Sequence, residues 1–421
     1  MNILEHPQVE IKPPRQPLSG RVWLPGSKSL TNRALLIAAL AQGQSTLSSV
    51  LISDDTLVMI TALRALGIEI NQHDQTTLIV KSSGTLKAPQ MPLFLGNAGT
   101  ATRFLTAAAA LADGQVVIDG DKHMRQRPIQ PLVDALRSLG VDASTATGCP
   151  PVTINARKGF SGKSVQIDAN LSSQYVSALL MLAACGDHPV EISLTSAAIG
   201  GRGYIELTLA LMQYFGSQFS RIGDHTWRIE PTGYAAKDYV VEPDASSCTY
   251  LWAAEVLTGG RISFQVDSEE MSQPDAKALQ LIRMFPHLPS VIDGSQIQDA
   301  IPTLAIMAAF NENPVRFVGI SNLRVKECDR IHALSSGLCR LRNNLAIEVD
   351  DDLLVYGDPK LSLINKPTII DSWNDHRIAM SFALAGLLID GIVIDNPACV
   401  AKTFPDYWKV LSELGVELKA A

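Results

Sequence analysis

Leu63-Arg64-Ala65-Leu66-Gly67-Ile68-Glu69-Ile70 reads as the end of one helix and the start of one strand. Glycine directly after the last apolar helical position is a stop signal, and the isoleucines that follow favour extended backbone. The same signal returns as Leu136-Arg137-Ser138-Leu139-Gly140-Val141, Leu211-Met212-Gln213-Tyr214-Phe215-Gly216 and Leu411-Ser412-Glu413-Leu414-Gly415-Val416, with a degenerate copy at Leu338-Cys339-Arg340-Leu341-Arg342-Asn343. The turn residues lie about 73, 76, 127 and 72 residues apart, a period near 70 that marks a repeat protein. Two periods would need about 146 residues where about 127 are found, so one copy lacks about 20 residues, or two strands, a loss expected near Phe285 to Pro289. Each copy reads as strand, helix, strand, helix and a strand pair. The expected class is therefore α/β, with about six units grouped in two halves. Asp238 to Asp244 reads as a strand entering a new helix, which predicts a junction near residue 240. Residues 22–240 are expected to form one domain. Residues 241–421 form the other, with 1–21 returning to pair with it.

The chain has 421 residues, 46% hydrophobic and 18% charged, with a net charge of -7. Such a balance argues against nucleic acid held by bulk electrostatics, so any anion site must be built locally. No apolar run has the length of a membrane span, and the opening twenty residues resemble neither a signal nor a transit peptide, so a cytoplasmic protein without a membrane partner is expected. Six cysteines without a C-x-x-C pair and eight histidines without ligand spacing predict reduced thiols and no metal.

Working outward from the repeat, the junctions carry the chemistry. In Leu24-Pro25-Gly26-Ser27-Lys28-Ser29-Leu30-Thr31-Asn32-Arg33, a strand Arg21 to Leu24 is expected to break at Pro25-Gly26. An alanine-rich helix then starts and runs on to a stop at Gly43. Two cations at a helix N-terminus call for an anion; the alternative is a capped surface helix with solvated cations. Leu95-Gly96-Asn97-Ala98-Gly99-Thr100 is again strand, glycine turn and helix start, either a ligand approach or a plain turn. Neither stretch has Walker A spacing, and Gly200-Gly201-Arg202-Gly203 lacks the dinucleotide spacing, which disfavours ATP and NAD. Ser172 and Ser173 precede an apolar helix and could hold a phosphate or simply cap it. Arg324-Val325-Lys326-Glu327-Cys328-Asp329-Arg330 is the densest charge in the chain, with Lys326 and Arg330 four apart if helical; a solvated salt-bridged face is the other reading. Asn374-Asp375-His376-Arg377 and Ala401-Lys402-Thr403-Phe404-Pro405 place further cations at junctions. Several basic junctions at similar places in a repeat imply one polyanionic site.

Taken together, L-P-G-S-K-S-x-x-N-R, G-N-A-G-T-A, R-P-I, S-S-Q, D-A-S-S, R-V-K-E-x-D-R, N-D-H-R and K-T-F-P-D resemble the 5-enolpyruvylshikimate-3-phosphate synthases, over about residues 18–408. The resemblance implies a two-domain inside-out α/β barrel of six βαβαββ repeats, one of them shortened, with a cleft that closes on substrate. It also implies transfer of the enolpyruvyl group of phosphoenolpyruvate to the 5-hydroxyl of shikimate 3-phosphate, in a monomer without cofactor and in a family that is the target of glyphosate. Carried onto matching positions, Lys28, Asn97, Gly99, Arg127, Gln174, Arg330, Arg377 and Lys402 would hold phosphoenolpyruvate. Ser29, Arg33, Ser172, Ser173, Gln174, Tyr204, Asp299, Asn322 and Lys326 would hold shikimate 3-phosphate. Asp299 and Glu327 would transfer protons, with Lys28 beside them in catalysis.

Addition of a hydroxyl to an enol phosphate needs a base and an acid, and two carboxylates supply both. Two other readings stay open. One is the sister activity toward a UDP-sugar, disfavoured because Asp121 to Gln126 holds no cysteine; the other is a binding-only paralogue, disfavoured because both carboxylates are present. The chain departs from the family at Phe104, where many members have proline, and at Gly201, where a serine would bind the substrate phosphate. The backbone N–H of Gly201 itself and Arg202 turning inward are the expected compensation there; Arg202 facing solvent is the other reading.

Overall fold

The computed structural model describes residues 3–196, 200–363 and 367–421. The chain divides into two compact units, residues 26–242 and residues 1–25 with 243–421. The sequence reading set these passages at 21/22 and 240/241. Residues 22–24 stay with the second unit because Val22 N–H donates to Ser263 O at 2.8 Å and the Gln265 side chain bonds both Leu24 backbone groups at 3.0 Å. The strand expected over Arg21 to Leu24 is instead Ser19–Arg21, paired in parallel with Arg261–Ser263. Residues 1 and 2 of the opening stretch lie outside the described residues.

In the unit of residues 26–242, the helices are α1 (Lys28–Leu40), α2 (Asp54–Ala65), α3 (Gly99–Ala108), α4 (Gln130–Ser138), α5 (Ser173–Ala183) and α6 (Arg202–Tyr214). Three four-stranded sheets accompany them. In the second of these, Leu93–Phe94 runs parallel to Asp113–Asp119, which pairs antiparallel with Val152–Arg157, which pairs antiparallel with Asp142–Thr145. A parallel pair joined through a helix, then a hairpin folded back on it, is the strand, helix, strand, helix, strand-pair repeat in space. In the first sheet the leading strand comes from far along the chain: Tyr239–Val240 pairs in parallel with Gln42–Ser48. Helix α1 ends before Gln42, so Gly43 lies in that strand and is not the helix stop. Helix α3 is buried along its whole length and packs against α1 and α5, which puts the N-terminal turns of apolar helices, not their middles, in reach of a ligand.

The other unit holds α7 (Ala245–Thr258), α8 (Ala278–Ile282), α9 (Ile301–Ala309), α10 (Arg330–Leu341), α11 (His376–Gly386) and α12 (Tyr407–Glu413). Helices α7, α9 and α11 pack on one another, and α9 and α11 are buried throughout. The opening strand Gln8–Lys12 lies between Ile392–Asp395 and Glu417–Ala420, completing the last repeat with residues from the chain start. The shortened copy is the fourth, where counting along the sequence makes it the fifth: Ser19–Arg21, α7, Arg261–Ser263 and α8, after which the chain goes directly to Val291–Asp293 of the next sheet, so the hairpin is missing near Phe285 to Pro289 as expected.

The sheets stay separate among the described residues, five of four strands and one of two, and do not close into a barrel. Gly67, Gly140, Gly216 and Gly415 all have positive φ after a helix, the backbone state that made the repeat legible. In the degenerate copy Asn344, not Asn343, takes that state, with φ 59°. No helix of the described residues is long and apolar enough to cross a membrane.

Candidate active site

In the unit of residues 26–242, α1 begins with Ser27 as its cap, its side chain accepting from Leu30 N–H at 3.4 Å. Gly26 is required there: a Cβ would lie 1.9 Å from Ser49 O. Lys28, on the first turn, pairs with Asp55 at 3.3 Å, and Ser29 beside it is half-buried. Arg33, one turn on, is 2% exposed. It donates to Thr208 Oγ1 (2.7 Å), Ser29 O (3.0 Å), Ser177 Oγ (3.3 Å) and Tyr204 O (3.3 Å). Its guanidinium also lies over Phe104 and Tyr204, at 5.2 and 5.7 Å from the ring centroids. Burial pulls its pKa down to about 10, and every hydrogen-bond acceptor named is neutral. The solvated-cation reading therefore fails for Arg33, which is built into the interior.

The start of α3 meets Arg127. That side chain donates to Asn97 Oδ1 at 3.0 Å, and its buried Nε has no hydrogen-bond partner among the described residues. Gly99 makes room for it, since a Cβ would stand 2.7 Å from Arg127 Nη2. Gln174 on the first turn of α5 donates to Thr100 Oγ1 at 3.2 Å, which ties two helix starts together. Ser172 caps α5 by accepting from Gln174 N–H at 3.2 Å, and Ser173 follows it, buried. Arg103 and Tyr175 both donate to Pro128 O, at 3.0 and 2.6 Å, fixing the loop that follows Arg127. Lys28, Asn97, Gly99, Arg127, Ser172, Ser173, Gln174 and Tyr204 thus all lie at or beside helix N-terminal turns, with Ser29 and Arg33 on α1. Arg202 donates to Asp224 O, so its guanidinium is not the compensation expected at Gly201.

In the other unit the charged groups interlock. Arg330, 1% exposed in its side chain, donates to Asp375 (2.7 and 3.3 Å), Glu327 Oε2 (2.8 Å) and Asp299 Oδ1 (3.2 Å). Arg377 reaches Asp299 Oδ2 at 2.8 Å and the Tyr250 hydroxyl at 3.3 Å; Lys402 reaches Glu327 Oε1 at 3.1 Å. Three cations face three carboxylates. Burial alone would lower the Arg330 pKa, but Asp375, Glu327 and Asp299 outweigh it and push it above the usual arginine value. Burial raises the Tyr250 pKa, so its hydroxyl stays neutral.

Asn322 is buried in the turn Ser321–Val325, its Oδ1 without a hydrogen-bond partner among the described residues, and Lys326 ends that turn half-buried. Lys326 and Arg330 do not share a helix. Asp329 caps α10 through His332 N–H at 3.0 Å, so the helix starts only at Arg330. The charged run splits accordingly: Arg324 turns outward to Asp329, Glu348 and Asp351 as a salt-bridged face, while Glu327 and Arg330 turn inward.

Sequence reasoning passed over Asp55, Tyr250 and Asp375. The first and last stood in plain view, Asp55 in the first turn of α2 and Asp375 as the cap of α11, but nothing local says which cation each will meet. Chemically, the unit of residues 26–242 offers cations and N–H donors for an oxyanion. The other offers carboxylates with adjacent cations, an arrangement that can give and take a proton beside an anion.

The profile of the EPSP synthase (3-phosphoshikimate 1-carboxyvinyltransferase) family matches residues 12–285 and 272–411. The chain is 62% identical to the 3-phosphoshikimate 1-carboxyvinyltransferase of Rhizobium leguminosarum bv. trifolii, covering 97% of both. It is 58% identical to that of Pseudomonas savastanoi pv. phaseolicola, covering 97% of this chain and 98% of the relative. A solved EPSP synthase from Acinetobacter baumannii shares the fold, with a TM-score of 0.78 at 24% identity over 98% of this chain and 99% of that one. A profile matched nearly end to end, together with identity at this level over nearly the full length, places the chain in the EPSP synthase family.

Proposed function

We propose that this chain transfers the enolpyruvyl group of phosphoenolpyruvate to the 5-hydroxyl of shikimate 3-phosphate and releases phosphate, a step of the shikimate pathway. The observation that carries this reading is the pairing of Asp299 and Glu327 with Arg330, Arg377 and Lys402 in a chain 62% identical to a 3-phosphoshikimate 1-carboxyvinyltransferase.

In the first step the hydroxyl oxygen bonds to C2 of phosphoenolpyruvate, its proton leaves to a carboxylate, and C3 takes a proton to become a methyl group. In the second step a proton leaves C3 and the C2–O bond to phosphate breaks. Asp299 and Glu327 exchange these protons, with Lys28 assisting. Arg33, Ser29, Ser172, Ser173, Gln174, Tyr204, Asn322 and Lys326 hold shikimate 3-phosphate, as does Asp299. Asn97, Gly99, Arg127, Gln174, Arg330, Arg377, Lys28 and Lys402 hold phosphoenolpyruvate, the arginines and lysines among them stabilising the phosphate charge as it departs. The buried Arg33, with neutral acceptors only, supports the phosphate anchor; the charge-balanced cluster supports the proton transfer.

The two compact units would be the two domains. The enzyme would act as a cytoplasmic monomer without nucleic-acid or membrane partners; its acidic balance supports the lack of a nucleic-acid partner. The test is phosphate release by the purified chain with both substrates, with the product identified by mass. Release that requires both substrates is expected; release without shikimate 3-phosphate, or transfer only to a UDP-sugar, would contradict the reading.

A further inference from the structure

We infer that Asp375 is a positioning residue for this reaction: it fixes Arg330 and the start of α11 while Asp299 and Glu327 exchange protons, an inference that rests on the function proposed above. Asp375 is 0% exposed. Its Oδ2 accepts from Arg330 Nε at 2.7 Å and from the Cys328 thiol at 3.6 Å. Its Oδ1 accepts from the Arg377 backbone N–H at 2.8 Å and from Arg330 Nη2 at 3.3 Å, with His376 Nδ1 at 3.7 Å. Four donors fill the two oxygens, which leaves no acceptor for a substrate, so the carboxylate works through its neighbours.

Arg330 spends four of its five N–H donors here: two on Asp375 and one each on Glu327 and Asp299. Whenever Glu327 or Asp299 takes a proton, its pull on Arg330 weakens. Asp375, enclosed and held by charge-assisted bonds, keeps the guanidinium in place through that change. The same carboxylate caps α11, whose second residue Arg377 reaches Asp299. One buried anion thereby sets the aim of two cations assigned to phosphoenolpyruvate.

Asp375→Asn and Asp375→Ser both keep a helix cap and remove the charge. From the worth of a hydrogen bond to a charged group, each should lower kcat/KM for phosphoenolpyruvate by about 10- to 150-fold while the KM for shikimate 3-phosphate stays within about threefold. In an Arg330→Gln background the same substitutions should add less than about threefold, because a residue that acts through Arg330 has nothing left to act on. Arg330→Lys, which keeps the charge but not the paired bonds, should reproduce the loss even if both Asp375 variants fail to fold. Undiminished loss in the Arg330→Gln background, an equal loss for both substrates, or an Arg330→Lys chain within about threefold of the parent would overturn the inference. The parent is assayed alongside: a parent without transfer activity overturns the functional reading and this inference together, whereas an active parent with an unaffected variant overturns this inference alone.

Discussion

Arg33 and Arg330 are both buried near the starts of helices, on the second turn of α1 and the first turn of α10, yet their surroundings are opposite. Arg33 is met by hydroxyls, carbonyls and two aromatic rings; Arg330 is met by Asp375, Glu327 and Asp299. The first leaves its positive charge uncancelled by the groups it bonds, and burial drags its pKa to about 10. Such a cation is stabilised by an arriving anion, which suits the fixed phosphate of a substrate that must be held and not changed. The second is already balanced, so an arriving anion must displace a carboxylate from a cation, which suits groups that trade protons during a reaction. On the function proposed above, one repeat architecture would serve as an anchor in one unit and as an acid–base cluster in the other, and the difference between the two arginines lies in which acceptors surround them.

The largest effects should fall on the cluster. Glu327→Gln and Asp299→Asn should each lower kcat by at least about 10²-fold with the fold intact by circular dichroism, as for general acid–base groups. Activity within a few-fold of the parent would remove that residue from the role.

The same replacement at the two arginines sharpens the contrast through stability. Arg330→Met leaves Asp375 buried without its cation and should cost about 3–5 kcal/mol in urea unfolding. Arg33→Met strands no carboxylate, and Thr208 and Ser177 still bond each other at 2.9 Å, so the change should stay within about 1 kcal/mol. Equal losses would break the comparison. Arg33→Met should nonetheless raise the KM for shikimate 3-phosphate by at least about tenfold, the lower end for a charged hydrogen bond.

Smaller effects come from the rim of the anchor. Gly99→Ala pushes a methyl group toward the flexible end of Arg127, so the KM for phosphoenolpyruvate should rise several-fold while stability holds; an unchanged KM would mean that Arg127 does not hold that substrate. Arg202→Ala should leave both constants within about threefold, because its guanidinium is spent on Asp224 O. A rise of fivefold or more for shikimate 3-phosphate would show that Arg202 turns inward after all.

Much of this was legible from residues alone. Helix-stop glycines at a fixed period carried the repeat, because positive φ after a helix is a local demand that glycine meets best. The missing hairpin showed as a deficit in spacing. What local pattern could not supply was pairing across the fold. Tyr239–Val240 leads the first sheet, Ser19–Arg21 pairs with Arg261–Ser263 and Gln8–Lys12 closes the last, so among the described residues three of the six sheets take a strand from far along the chain while the other three use consecutive strands. In the site, basic junctions were visible as basic, but whether a cation meets a hydroxyl, as at Arg33, or a carboxylate, as at Arg330, depends on residues more than a hundred positions away in the first case and 45 in the second. Arg324 shows the same limit: its neighbours in sequence turn inward while it joins a surface network with the hairpin Ala346–Val355.

The division of labour between anchor and cluster can be measured most directly by running the reaction in D₂O and following deuterium into the methylene group of the enolpyruvyl product. Protonation at C3 makes a methyl group, so each addition and elimination can leave solvent deuterium behind. The parent chain, and Arg33→Met at saturating shikimate 3-phosphate, should incorporate deuterium alike per turnover, while Glu327→Gln and Asp299→Asn should lose incorporation together with turnover. Incorporation that survives in both carboxylate variants but disappears in Arg33→Met would contradict the assignment of proton transfer to Asp299 and Glu327.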